Sequence, residues 1–159
     1  MAIAYLGVGS NMGYSKAHLD DAIEHLSMCG TVTKVSFFYK TEPVGDIPQD
    51  WYLNCVVKLK TKLSPHDLLK ELLSIEKNMG RVRTMKNSPR IIDIDILTYD
   101  NLVISEADLA IPHPRFHERR FVLIPFAEIA PDVLHPTLKK SILELLKDTS
   151  DSSKVLPDS

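Results

Sequence analysis

The chain has 159 residues, 44% hydrophobic and 25% charged, with a formal net charge of -2, which excludes a disordered or fibrous protein and suits one domain. Without a basic field there is nothing to hold duplex phosphates, so no nucleic-acid partner is expected. No apolar run approaches the roughly 20 residues that span a bilayer, the start MAIAYLGVGSNMG lacks a basic leader, and Cys29 and Cys55 form no CxxC pair; the expectation is a cytoplasmic protein with free thiols and no membrane partner.

The continuous apolar run Ala2 to Gly9 has the pattern of a buried strand, ended by the turn formers Gly9, Ser10, Asn11 and Gly13. Leu19, Ala22, Ile23 and Leu26 then recur at helical spacing, with Gly30 as a stop. Thr31 to Tyr39 is rich in β-branched and aromatic residues and reads as a strand. KTEPVGDIPQDW follows as a loop of about a dozen residues, long enough to suggest function rather than connection alone. GVGSNMG, after the first strand, has glycines at 7, 9 and 13 rather than in the GxGxxG spacing of a dinucleotide fingerprint, and no P-loop pattern occurs.

Tyr52 to Lys60 reads as a strand. Ser64, Pro65 and Asp67 then supply a cap, a first-turn proline and a first-turn acid for a helix with the stripe Leu68, Leu72, Ile75, Met79, ending at Gly80. Glu76 lies at the edge of that stripe, near a helix end that disfavours negative charge. It either reaches solvent or orients one of the arginines that follow. Arg81, Arg83, Lys86 and Arg90 are those cations, with no acid among them.

PRIIDIDILTYD, Pro89 to Asp100, is a strand in which Ile92, Ile94 and Ile96 alternate with Asp93 and Asp95. Residues i and i+2 of a strand share a face, about 6.5 to 7 Å apart, so the two carboxylates can close on one centre. They form either a solvated polar face or, with the neighbouring cations, a metal and polyphosphate site of the kind magnesium prefers. Zinc is disfavoured, because Pro112 and Pro114 keep His113 and His117 off a regular helix. Asp100-Asn101 reads as a turn and Leu102 to Ile104 as a short return strand. The loop IPHPRFHERR mixes arginines and histidines and suits an anion. Phe121 to Ile129 and Thr137 to Lys147 have helical periodicity, and Asp148 to Ser159 reads as a mobile polar tail beyond a domain spanning 1–147. The order is β-α-β-β-α-β with extra C-terminal helices, an α+β ferredoxin-like pattern with an antiparallel sheet.

Together these segments resemble one family, 6-hydroxymethyl-7,8-dihydropterin pyrophosphokinase. Its carriers here are GSN at Gly9 to Asn11, KTEPVG at Lys40 to Gly45, YLN at Tyr52 to Asn54, GRVR at Gly80 to Arg83, PRxxDIDIL at Pro89 to Leu97, PHPRFHERRFVL at Pro112 to Leu123, and EIAP at Glu128 to Pro131. The resemblance implies magnesium-dependent transfer of pyrophosphate from ATP to the pterin hydroxymethyl group, a step of folate biosynthesis, with AMP released. It implies two magnesium ions on Asp93 and Asp95, and catalytic roles for these acids with Arg81 and Arg90. ATP would meet Glu76, Arg81, Arg83, Arg90, Ile96, His113 and Arg119. The pterin would lie between Tyr52 and Phe121, with Asn54 at its polar edge and Thr41, Pro43 and Val44 closing around it. The partners expected are thus ATP and the dihydropterin, and the chain is expected to act as a monomer. Where the family carries an arginine-tryptophan-glycine run before the PR pair, this chain has Lys86-Asn87-Ser88.

Overall fold

The computed structural model describes residues 1–10, 15–42, 51–80 and 91–158. Its main sheet contains β1 (Ala2–Ser10), β2 (Thr31–Val35), β3 (Tyr39–Thr41), β4 (Tyr52–Thr61), β5 (Asp93–Tyr99) and β8 (Val155–Pro157). The order is β5-β1-β4-β3-β8, with β2 also on β4, and every pairing is antiparallel. A separate ribbon joins β6 (Ile104–Ser105) to β7 (Ala110–Ile111). The helices are α1 (Ser15–His25), α2 (Pro65–Asn78), α3 (Arg120–Ile129) and α4 (Ile142–Asp148).

Strand alternation divides the core into two layers. Ala4, Leu6, Val8, Cys55, Val57, Leu59, Ile94 and Ile96 pack with Leu19 and Ala22 of α1 and Leu68, Leu72 and Ile75 of α2. The opposite face sends Tyr5, Val56 and Leu97 against Phe116, Leu123 and Phe126, with Ile142 and Leu145 of α4 completing that layer. Fully buried aliphatic side chains of this kind stabilise by about 1.5–3 kcal/mol each before ordering costs. The α2 boundaries follow their sequence signals: Ser64 accepts the Asp67 N–H, Pro65 opens the helix, and Gly80 takes φ +86 just beyond it.

Four elements depart from the sequence reading. Thr31 to Tyr39 is broken between β2 and β3, because the chain uses one residue more than β4 between the pairs Val35↔Val57 and Tyr39↔Asn54. There the Ser36 hydroxyl accepts the Val56 N–H, while the Phe37 N–H turns to the carboxylate of Glu128 in α3. The last helix begins at Ile142 rather than Thr137. His135 Nδ1 accepts the N–H groups of Thr137 and Leu138, holding that stretch as a turn, and Ser141 with Glu144 forms a capping box. Finally, residues 155–157 of the expected mobile tail form β8, which covers the free edge of β3. The return strand expected at Leu102 to Ile104 is reduced to β6, at Ile104–Ser105.

Glu128 ties α3 to the sheet where β2 gives way to β3, accepting from Phe37 N–H and from the phenol of Tyr39. Burial and this bond push the Tyr39 phenol up to about 12, so it remains a donor across the physiological range. Glu128→Ala should therefore cost about 1–3 kcal/mol by leaving the buried phenol unpaired, and Tyr39→Phe about 0.5–1.5 kcal/mol, both measured by urea unfolding.

Candidate active site

The alternation of β5 fixes the site. Ile94 and Ile96 belong to the α1 and α2 layer, so Asp93 and Asp95 emerge on the α3 face, both half-buried. In register Asp93 lies beside Gly9 and Asp95 beside Gly7 on β1. Across the same rows on β4 stand Asn54, beside Gly9, and Val56, beside Gly7. Gly9 thus separates Asp93 from Asn54, and Gly7 separates Asp95 from Val56, so the strand between acids and amide carries no side chain of its own at these two positions. A Cβ at Gly9 would come within 2.5 Å of Asn54 Oδ1, so only glycine permits the asparagine its position.

Asn54 donates from Nδ2 to the Thr41 hydroxyl at 2.7 Å, both side chains being buried. Its Oδ1 remains directed at the glycine strip. Tyr52 pairs with Thr41 on the same face of the sheet and is half-buried. The acids, Asn54, Thr41 and Tyr52 therefore share one surface.

The loop after β7 brings basic groups to that surface. His113 is anchored by its N–H on the Leu97 carbonyl, and its Nδ1 accepts the Arg115 N–H at 3.2 Å. The neutral ring accordingly carries its proton on Nε2, where it can donate to an anion. Burial, assisted by the charges of Arg119 and Arg115, lowers the imidazole to about 4, while Asp93 acts in the opposite sense. His113 thus links Asp93 electrostatically to Arg119. The Arg119 guanidinium in turn lies 5.8 Å from the centre of the half-buried Phe121 ring.

Glu76 does not reach solvent. It is 4% exposed and accepts the N–H of Ile94 at 2.8 Å, satisfying a donor on the outer edge of β5. The acid therefore fixes the strand that carries Asp93 and Asp95. Ile96 is set apart from the other candidates, since its side chain lies in the core on the opposite face and leaves only its backbone near the sheet edge. Arg81, Arg83 and Arg90, together with Pro43, Val44 and Lys86 to Ser88, lie outside the described residues.

Sequence reasoning assigned no role to Gly7, Gly9 or Glu128. Gly9 was visible only as a turn former and Gly7 only as part of an apolar run, whereas their value comes from register with Asp93, Asp95 and Asn54, which the paired strands reveal.

Gly9→Ala should displace Asn54 from Thr41 and weaken any ligand that Asn54 reads by about tenfold or more, detectable by titration calorimetry with the fold intact by circular dichroism. In the free protein, His113 should titrate near 4 by NMR and be neutral at pH 7. Arg119→Ala should raise that midpoint and Asp93→Asn should lower it. Because the unfolded imidazole binds protons first as pH falls, the stability that His113 costs grows as pH drops from the ordinary histidine value to about 4 and stays lost below it.

Comparison with known proteins shows the family. A model of the 7,8-dihydro-6-hydroxymethylpterin-pyrophosphokinase (HPPK) family matches residues 5–131. The 2-amino-4-hydroxy-6-hydroxymethyldihydropteridine pyrophosphokinase of Methylorubrum extorquens is 48% identical over 136 residues, covering 84% of this chain and 86% of that protein. The Bacillus subtilis protein of the same name is 44% identical over 133 residues, covering 82% and 80%. The crystal structure of wild-type Plasmodium falciparum HPPK-DHPS with pterin and p-hydroxybenzoate is similar in fold, with a TM-score of 0.72 at 18% identity over 92% of this chain. The chain spans 42% of that longer protein. With the aspartate pair, Asn54, His113 and Arg119 gathered on one face, and with relatives this similar over most of their length, the chain belongs to the 7,8-dihydro-6-hydroxymethylpterin-pyrophosphokinase family and is a pyrophosphokinase.

Proposed function

We propose that the protein transfers the pyrophosphoryl group of ATP to the hydroxymethyl oxygen of 6-hydroxymethyl-7,8-dihydropterin, giving the pterin diphosphate and AMP in folate biosynthesis. The observation that carries this reading is the shared face of the sheet. It holds two carboxylates, a neutral histidine and an arginine at one side of the glycine strip, and an amide, a hydroxyl and an aromatic ring at the other. The first group suits a metal-bound polyphosphate, the second a flat polar heterocycle. The order of the strands β5-β1-β4-β3 supports a ferredoxin-like core as the frame.

Asp93 and Asp95 fit magnesium, which takes one or two carboxylates and leaves its remaining positions to water and phosphate oxygens. Their place opposite Gly7 and Gly9 supports this, since no neighbouring side chain on β1 competes for the space. When bound, two magnesium ions would neutralise charge on the triphosphate and help align it. The other phosphate contacts in this reading come from Arg119, from Nε2–H of His113, and from Arg81, Arg83 and Arg90, with Arg81 and Arg90 acting on the reacting phosphates.

Tyr52 and Phe121 would hold the pterin ring between them, and stacking of this type adds about 0.5–1.5 kcal/mol to area burial. Asn54 donates one Nδ2–H to Thr41, so its Oδ1 and its second Nδ2–H would be the groups that pair with the pterin's polar edge. Glu76 would act through Ile94 by holding β5 in place. With the alcohol placed in line with the β-phosphorus, its oxygen forms the new P–O bond as the α-phosphate oxygen departs with AMP, and no covalent enzyme intermediate is needed. Pro43 and Val44 would complete the pterin pocket. The chain would work in the cytoplasm as a single catalytic domain and a monomer, which its free, buried Cys29 and Cys55 support for compartment.

The direct test is AMP release from ATP with and without the dihydropterin. Release should require both pterin and magnesium, and pterin-independent hydrolysis would instead favour a two-metal phosphodiesterase. Asp95→Ala should lower turnover by on the order of a thousandfold while circular dichroism is unchanged. Tyr52→Ala should weaken pterin binding several-fold and leave the affinity for a non-hydrolysable ATP analogue near wild type; the reverse pattern would remove the stacking role.

A further inference from the structure

The residues after α4 return across the site. Thr149 donates its hydroxyl to the Glu118 carbonyl at 2.9 Å, and the Asp151 N–H donates back to that hydroxyl. Asp151 Oδ2 accepts the Arg120 N–H at 2.8 Å, and Oδ1 accepts the Ser153 N–H at 2.9 Å. The chain then meets β3. Lys154 N–H donates to Glu42, Val155 pairs with Thr41 and Leu156 with Lys40, and Asp158 N–H donates to the Phe38 carbonyl.

This strap reaches both substrate-bearing parts of the site. Arg120 is the first residue of α3, directly between Arg119 and Phe121. Helix α3 has no side-chain cap of its own and no acid in its first turn. Whereas the Val122 N–H closes on the Arg119 carbonyl, the Arg120 N–H depends on a group from elsewhere in the chain, and Asp151 supplies it as an anion at the positive end of the helix. Although burial alone would raise the Asp151 carboxyl, the bonds from Ser153 and Arg120 outweigh this and hold it below the ordinary aspartate range. Beside these bonds lies an open cavity of about 570 Å³ lined by Arg115, Arg119, Asp148 and Asp151, among others. At the other end, β8 pairs with Thr41, the hydroxyl that holds Asn54.

We propose that Asp151 is a positioning residue for the turn bearing Arg119 and Phe121, and that the strap running from it to β8 couples this turn to the strand bearing Thr41. The assignment rests on the pyrophosphokinase reading above. Asp151 touches no reacting atom. It acts by fixing the N-terminus of α3, so that a phosphate-directed arginine and a ring-stacking phenylalanine keep one orientation before substrates arrive.

The test is steady-state AMP release by the full-length wild type and by Asp151→Ala, Asp151→Asn and Thr149→Val. Loss of a cap of this kind corresponds to roughly three- to thirtyfold in an equilibrium. Asp151→Ala should therefore raise KM for both ATP and pterin by about tenfold, with kcat changed less. Asp151→Asn, whose amide oxygen can still accept the Arg120 N–H while its amide nitrogen loses the bond from Ser153, should recover part of the loss. Thr149→Val should give a smaller rise in the same direction, which keeps the test decisive even where Asp151→Ala is too unstable to assay. Unchanged KM values with only a lowered Tm would overturn the positioning role and leave Asp151 a plain structural cap. A wild-type chain that releases no AMP would overturn the pyrophosphokinase reading itself, whereas an active wild type with indifferent variants overturns the strap alone.

Discussion

Everything at the site depends on the parity of β5. Because Ile94 and Ile96 are committed to the layer beneath α1 and α2, the acids between them must face α3, and they must do so side by side. A slip of one residue would bury both carboxylates among leucines, at a desolvation cost that the fold could not offset. Parity is defended from two directions. On one side β1 holds β5 by its ladder. On the other, Glu76 accepts the outward N–H of Ile94, so the exposed edge of β5 is tied to α2 at the residue between the acids.

The same parity explains the glycines. A β-strand through the middle of a sheet gains nothing from Gly7 and Gly9 as regards stability, since each adds backbone entropy to the unfolded chain and removes a side chain from packing. Their placement makes sense only in relation to neighbours. Gly9 is pressed by Asn54 on one side and faces Asp93 on the other, so that a polar amide and a carboxylate look across the same bare backbone. The stability forgone in the strand lets the Asn54 amide close on Gly9 and the Leu97 side chain close on Gly7.

Local pattern made much of this legible. The i, i+2 spacing of Asp93 and Asp95, the Ser64-Pro65 start of α2 and the apolar run of β1 are short-range signals, and the structure follows them. What could not be read locally was set by partners distant in the chain. Glu76 looked like an acid at the edge of a stripe, and its role appears only when Ile94, 18 residues on, is folded against it. The tail 148–159 looked polar and free because its partners, Glu118, Arg120 and β3, are 31 or more residues away. The late start of α4 is different, since the capping pair Ser141 and Glu144 was visible in the sequence and the periodicity of Thr137 to Lys147 outweighed it.

The neutral state of His113 follows from the same arrangement of charges. A protonated imidazole beside Arg119 and Arg115 would add to an already cationic corner, and burial reinforces the penalty, so in the free protein the ring is held uncharged despite Asp93. An incoming polyphosphate reverses the local sign. Each negative oxygen that approaches Nε2 offsets the repulsion from the arginines and favours the proton that the free site rejects. A cationic corner that suppresses its own histidine would thereby respond to the anion proposed for it, because His113 stands electrostatically between Asp93 and Arg119.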